Sequence, residues 1–362
     1  EPDPGPPEIP ATPSSDAADA LAGLSVDAWA TGEAKVAFDA YAAALADDWE
    51  KWDAKVGDPM RTFGASELPG SEGKTVFYPF SGPDFPTVHR LFPEADRYVL
   101  VAMQKAGPPP EPEALGVDEL TETLAVYEQV FANFTRKGFF ITEQMNASFG
   151  KDHPVKGLTG LMMAFAAREG YHVESVDPIW ISRDGVVEPD PGDRARLRTW
   201  DSVRLSLVHR SDGKKVVLDY LRLNLADRRI ERRPYAMKWV HSIAGQLVFV
   251  KAASHLMQQT NFAFIRRALL DNAEAILQDE SGVGYGELVK AHDVTLFGSF
   301  KKVNKLFHEE PQVPLADAYR ERDDVRLLPF RIGYLKAAGS CLQLARPRAA
   351  AAATSAPDAS TP

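Results

Sequence analysis

Three short polar clusters hold the side chains that could do chemistry. Ser81, Gly82 and Asp84 form the first, Lys251, Ser254 and His255 the second, and Asp279, Glu280 and Ser281 the third. Each directly follows a short apolar run with the character of a strand. In an open α/β sheet, ligands bind in the crevice beyond the carboxyl ends of the strands. If the three runs are parallel neighbours, the clusters meet at one edge, with Gln104 beside them, and acid, base, amine and hydroxyl groups share one pocket.

Each cluster also has a plainer reading. Asp84 can cap the short helix that follows it. Lys251 can end a strand in solvent, and His255 can be a satisfied, partly buried histidine. Asp279-Glu280-Ser281-Gly282 is good turn chemistry. Other patterns carry less. No His-Glu-x-x-His, Gly-x-Ser-x-Gly or phosphate-binding glycine loop occurs. His308-Glu309-Glu310 reads as solvated loop charge. Arg228, Arg229, Arg232 and Arg233 form a basic loop among acids, either a solvated flank or a contact surface.

The elements that must position these residues can be read from periodicity. Residues 33–56 are predicted to be a helix with Phe38, Tyr41, Leu45, Trp49 and Trp52 on one face, followed by a loop to 73. Residues 75–80 and 98–103 are apolar without alternation, as in strands buried on both faces. A turn at 81–84 and a helix over 85–92 join them into a βαβ unit. Residues 117–134 and 156–169 are predicted amphipathic helices, the second stopped by Gly170. A strand region, 171–182, follows. Val203, Leu205, Leu207 and then Val216, Leu218, Tyr220 alternate about Ser211-Asp212-Gly213. That pattern predicts a half-exposed antiparallel hairpin inserted at 200–225. Further strands are expected at 247–250, 273–278, 294–297, 328–334 and 341–344, the last two paired through a turn at 336–339. Asn261 is placed to cap a helix holding Ile265 and Leu269.

The chain of 362 residues carries a net charge of −10, which argues against nucleic acid as a partner. One cysteine excludes an internal disulfide framework, and no apolar run of about 18 residues is present to cross a membrane. Six prolines among residues 1–13, then Ser14, Ser15, Ala17 and Ala18, predict a disordered tether over 1–32. A disordered tail is expected over 346–362. The front composition fits an exported, periplasmic or cell-envelope protein, with a lipid-anchored N-terminus as one form. A cytoplasmic protein with a loose end is the alternative.

The order of strand 75–80, turn 81–84, helix 85–92 and strand 98–103 resembles the opening of a class I S-adenosylmethionine-dependent methyltransferase. Leu247–Val250, the helix over 262–270 and Ala273–Gln278 resemble that fold's fourth and fifth strands, and 330–334 with 340–344 its antiparallel close. The phrases Tyr78-Pro79-Phe80-Ser81-Gly82-Pro83-Asp84-Phe85, Leu277-Gln278-Asp279-Glu280-Ser281-Gly282 and Phe330-Arg331-Ile332-Gly333-Tyr334 resemble an exported bacterial family without an assigned function. The first resemblance implies a Rossmann-like α/β fold over 74–345, its sheet mixed but mostly parallel with an antiparallel closing hairpin, and a helix and loop at 33–73 before it. It also implies a cofactor held near Ser81, Gly82, Asp84 and Gln104, with Asp279 or His255 as a base and Lys251 as a further catalytic candidate. The first turn departs from the glycine-rich form that lets backbone approach a cofactor. Gln104 stands where an acidic residue would bind ribose hydroxyls. The expectation is therefore a binding or structural protein on a degenerate scaffold, without a cofactor and with an unknown small ligand or protein partner. A methyltransferase, and an interaction module using the hairpin and the 226–233 loop, are the alternatives.

Overall fold

The apolar runs lack alternation because helices cover both of their faces. The computed structural model describes residues 7–27, 30–140, 148, 156–190, 200–242, 245–307, 312–334 and 339–348. It contains β1 (Thr75–Pro79), β2 (Arg97–Ala102), β3 (Tyr171–Ile181), β4 (Val187–Pro189), β5 (Ser202–His209), β6 (Lys215–Arg222), β7 (Leu247–Val250), β8 (Ala275–Gln278), β9 (His292–Gly298) and β10 (Cys341–Pro347). They form one ten-stranded sheet in the order β4-β3-β5-β6-β2-β1-β7-β8-β10-β9. β6, β2, β1, β7 and β8 run parallel. β1 lies beside β7 with Phe77 opposite Val248, so the expected central pair shares one sheet and one direction.

Six helices cover one face: α1 (Pro13–Leu21), α2 (Gly32–Trp52), α3 (Asp58–Glu67), α4 (Phe85–Leu91), α5 (Val117–Lys137) and α6 (Thr159–Arg168). Among the described residues the other face is covered by α7 (Pro234–His241), α8 (Ala263–Asn272) and α9 (Val313–Glu321), with the one-turn helices Asp227–Ile230 and Tyr285–Leu288 beside them. Successive strand residues point to opposite faces. Val76, Tyr78 and Phe249 therefore join Trp49, Phe131 and Phe165 in one core, while Phe77, Val248 and Ile276 join Trp239, Ile265 and Leu315 in the other.

Several expectations are corrected. The sheet is mixed, as expected, but it is not mostly parallel. Its antiparallel pairs are β3–β4, β3–β5, β5–β6, β8–β10 and β9–β10, five of nine pairings. The hairpin at 200–225 is not a half-exposed insertion: β6 pairs with β2, and β5 with β3, so neither strand has a free edge. Residues 328–334 form no strand. The antiparallel close is β9 with β10, and only an isolated bridge links Arg326 to Phe297.

The expected tether contains α1, whose residues Ala17, Ala18, Ala20 and Leu21 are buried. Thr12 caps it by accepting from the Ser15 N–H at 3.1 Å. Much of the expected loop at 57–73 is α3, reached from α2 through a π-helical turn at Asp53–Gly57. The last strand runs to Pro347, into the expected tail. Residues 1–6, His308-Glu309-Glu310, most of the 336–339 turn and residues 349–362 lie outside the described residues. Among the described residues no helix is long and apolar enough to cross a membrane.

Candidate functional site

Parallel strands place their carboxyl ends on one edge, and a cavity of about 550 Å³ opens there. The turns after β1, β2, β6 and β7 supply most of its wall. Ser81, Gly82 and Gln104 line it, as does Ser254. Phe139 and Phe140, just beyond α5, and Tyr334 close other sides. None of the described lining residues carries a charged side chain.

The turn after β1 gains its shape from two left-handed residues, Phe80 at φ 60° and Gly82 at φ 59°. The space at Gly82 is open: a Cβ there would meet only the Phe140 Cβ, at 3.8 Å. Left-handed backbone is costly for residues with a side chain, roughly 1–3 kcal/mol each, and tends to gather at functional sites. Of the six non-glycine residues with positive φ among the described residues, Phe80, Ala252, Ser254 and His255 belong to these two turns.

The turn after β7 is held from several directions. Tyr334 donates its hydroxyl proton to the Ala252 carbonyl at 2.5 Å and accepts the Ser254 N–H at 3.1 Å. Burial pushes the Tyr334 phenol up to about 12, so it stays protonated as a donor. The exposed Ser254 hydroxyl lies 3.1 Å from the same oxygen. Asp279 accepts the Ala252 N–H at 2.8 Å and the Ser281 N–H at 2.9 Å. Ser281 donates its hydroxyl to Asp279 at 2.5 Å and accepts the Ala253 N–H at 2.7 Å.

Lys251 lies beneath the cavity, not in it. It is 2 % exposed and pairs with the equally buried Asp84. Its ammonium also donates to the Thr87 hydroxyl at 3.1 Å and to the Gly138 carbonyl at 2.6 Å. Asp84 therefore does not cap α4 with its side chain. Instead it accepts from Thr87 at 2.7 Å and from Tyr78 at 2.9 Å. All three ammonium protons have acceptors, which is what a buried cation requires.

His255 is fully buried, against the Phe307 ring at 4.9 Å. Burial lowers its pKa, which favours the neutral ring. Its Nδ1 lies 3.2 Å from the Gln258 amide, and its Nε2 has no hydrogen bond among the described residues. Glu280 is buried too. Burial, then the neighbouring Asp279 charge, pushes its carboxyl well above the usual range. The buried Cys341 thiol lies 3.8 Å from one of its oxygens, and burial and Glu280 push that thiol up in turn.

The structure thus gathers Ser81, Gly82, Gln104 and Ser254 on one cavity wall, while Asp84, Lys251, His255 and Asp279 stand behind it. Among the described residues no group of three or more His, Cys, Asp or Glu side chains could hold a metal ion. Sequence reasoning missed Phe139, Phe140, Asn224, Phe307 and Tyr334 as lining residues. Tyr334 was legible only as part of an expected strand, and the phenylalanines look like any other core aromatics. No family model, no curated protein and no solved structure matches the chain.

Proposed function

We propose that the chain binds an uncharged, largely apolar small molecule in the cavity at the carboxyl edge of β1, β2, β6 and β7, on a methyltransferase-like scaffold that no longer serves a cofactor. The observation that carries this reading is the wall itself: nineteen described lining residues, none with a charged side chain. Buried polar contacts add specificity only where both partners are satisfied. Here Gln104, Asn224 and the Ser81–Gly82 backbone offer a few polar contacts within an otherwise aromatic and aliphatic surface.

The scaffold part rests on order and direction. From β6 to β9 the strands read third, second, first, fourth, fifth, seventh, sixth, and β10 alone runs opposite to its neighbours. This order, with one reversed strand beside the parallel ones, is what supports a methyltransferase-like scaffold. The same order favours a second reading, S-adenosylmethionine binding for methyl transfer. Against it, the cofactor is cationic and carries ribose hydroxyls, whereas the β2 end presents Ala102-Met103-Gln104 without a carboxylate.

Titration of the full chain with neutral Nile red and, separately, with S-adenosylmethionine distinguishes the two. The expected result is saturable fluorescence enhancement with Nile red, lost in Leu256→Arg, which places a charge on the wall, and no heat with the cofactor. Saturable micromolar binding of S-adenosylmethionine, or Nile red binding unaltered by Leu256→Arg, would overturn the proposal.

A further inference from the structure

A second cavity, about 490 Å³, shares no lining residue with the first and lies among the π-helical turn after α2, the last turn of α5 and the segment 328–331. Lys51, Lys55, Arg136 and Arg331 line it, against the single carboxylate of Asp48. On a chain with net charge −10, four cations to one anion in one cleft is a marked local reversal. Beneath the charges the floor is apolar: Trp52, Val56 and Phe330 line it and are themselves buried.

The charges are brought together by packing, not by adjacency in sequence. Trp49 and Trp52 of α2 pack at a tilt against Phe131 and Phe134 of α5, at centroid distances of 6.0 and 5.3 Å. That contact aligns the carboxyl ends of the two helices. The π-helical turn at Asp53–Gly57 widens the end of α2, where Lys55 is exposed. Such turns are uncommon and are frequent at functional sites. Arg331 reaches across to donate to the Thr135 carbonyl, which covers one of the unpaired carbonyls that a helix end leaves exposed. Lys51 is partly neutralised by Asp47, and Arg136 donates to the Ala132 carbonyl at 2.8 Å. No ion pair is shown for Lys55, Arg136 or Arg331 among the described residues.

We infer that this cleft is a binding site for an amphiphilic anion, a phosphate or carboxylate joined to an apolar or aromatic body. The cations would face the anionic group, with guanidinium groups suited to forked contacts with its oxygens. The body would lie on Trp52 and Phe330. Neutral ligands of the first cavity have no use for these charges, so the two sites differ in chemistry as well as in place.

The probe is 1-naphthyl phosphate, titrated into the full chain by calorimetry, beside 1-naphthol and inorganic phosphate. Lys55→Glu/Arg136→Glu changes two exposed residues and leaves the buried floor intact. Saturable binding of naphthyl phosphate is expected, weakened at least tenfold by that double variant and by raising salt, and unchanged by Leu256→Arg. Naphthol at least tenfold weaker than naphthyl phosphate also supports the site. Inorganic phosphate binding far more weakly assigns it to amphiphiles, whereas equal binding assigns the same cationic site to a free anion. The inference is overturned if naphthyl phosphate does not bind saturably, binds the double variant as well as the parent chain, or loses its affinity in Leu256→Arg.

Discussion

Glu280 is a side chain whose surroundings do not suit its charge. It is fully buried, one carboxyl oxygen has no hydrogen bond among the described residues, and the other lies 3.8 Å from the Cys341 thiol. Burial and the adjacent Asp279 raise its pKa well above the ordinary carboxyl range, so the folded chain holds a proton there that the unfolded chain releases. A folded-state pKa above the unfolded value stabilises fully below the unfolded value, about 4.3. The stability then falls as pH rises toward the folded pKa, because the unfolded state binds fewer protons. The slope for one such group is at most about 1.4 kcal/mol per pH unit. Glu280→Gln removes this ionisation. Urea unfolding at pH 5 and pH 8 should show the parent chain losing more stability than the variant over that interval. Identical pH dependence would mean that Glu280 ionises in the fold as it does in the open chain.

At the scale of elements, one buried lysine ties three of them. Lys251 leaves the end of β7, pairs with Asp84 at the start of α4, and donates to Gly138 just beyond α5. Phe139 and Phe140, the next two residues, enter the cavity wall. Lys251→Met removes the cation and leaves Asp84 buried without its counter-charge, a change that typically costs about 3–5 kcal/mol. Lys251→Met/Asp84→Asn should recover most of that loss in chemical denaturation, because replacing both charges leaves no orphan. A double variant as unstable as the single one would show that the pair does no more than fill space.

The same elements show what the sequence could reveal. β1, β2, β7 and β8 were legible because strands covered on both faces read as nearly continuous apolar runs. Lys251 and Asp84 were legible as residues at strand ends. Their mutual burial was not, since it depends on how α4 and α5 pack over the sheet. The expected strand at 328–334 fails for a local reason. Gly333 bends there at φ 70°, so close to Asp279 that a Cβ would lie 2.3 Å from its carboxylate oxygen.

The whole molecule depends on a segment that composition assigns to solvent. α1 is made almost wholly of alanine, serine and aspartate, and its burial signal is weak because alanine contributes little area. It works by close approach instead. Ala17, Ala18, Ala20 and Leu21 join the same core as Phe165, and Gly160 of α6 is so crowded that a Cβ there would lie 3.2 Å from Leu21. Polar contacts fix the position. Thr12 donates to the Val173 carbonyl at 2.7 Å, Asp19 accepts from Arg210 at 2.7 Å, and the Ala22 carbonyl accepts from Arg168 at 2.6 Å. Removing residues 1–29 would strip all of these contacts from β3, the turn after β5 and α6 at once. It would leave Tyr41 without its Leu21 acceptor and would uncover the core beside Phe165. A buried leucine alone contributes about 2–5 kcal/mol when truncated to alanine, and the lost hydrogen bonds add about 1 kcal/mol each. Domains are commonly stable by only about 5–15 kcal/mol, so the truncated chain should unfold at clearly lower urea and be cut faster by protease within β3 and α6. An unfolding midpoint equal to that of the full chain would show that the front segment rests on the domain without holding it together.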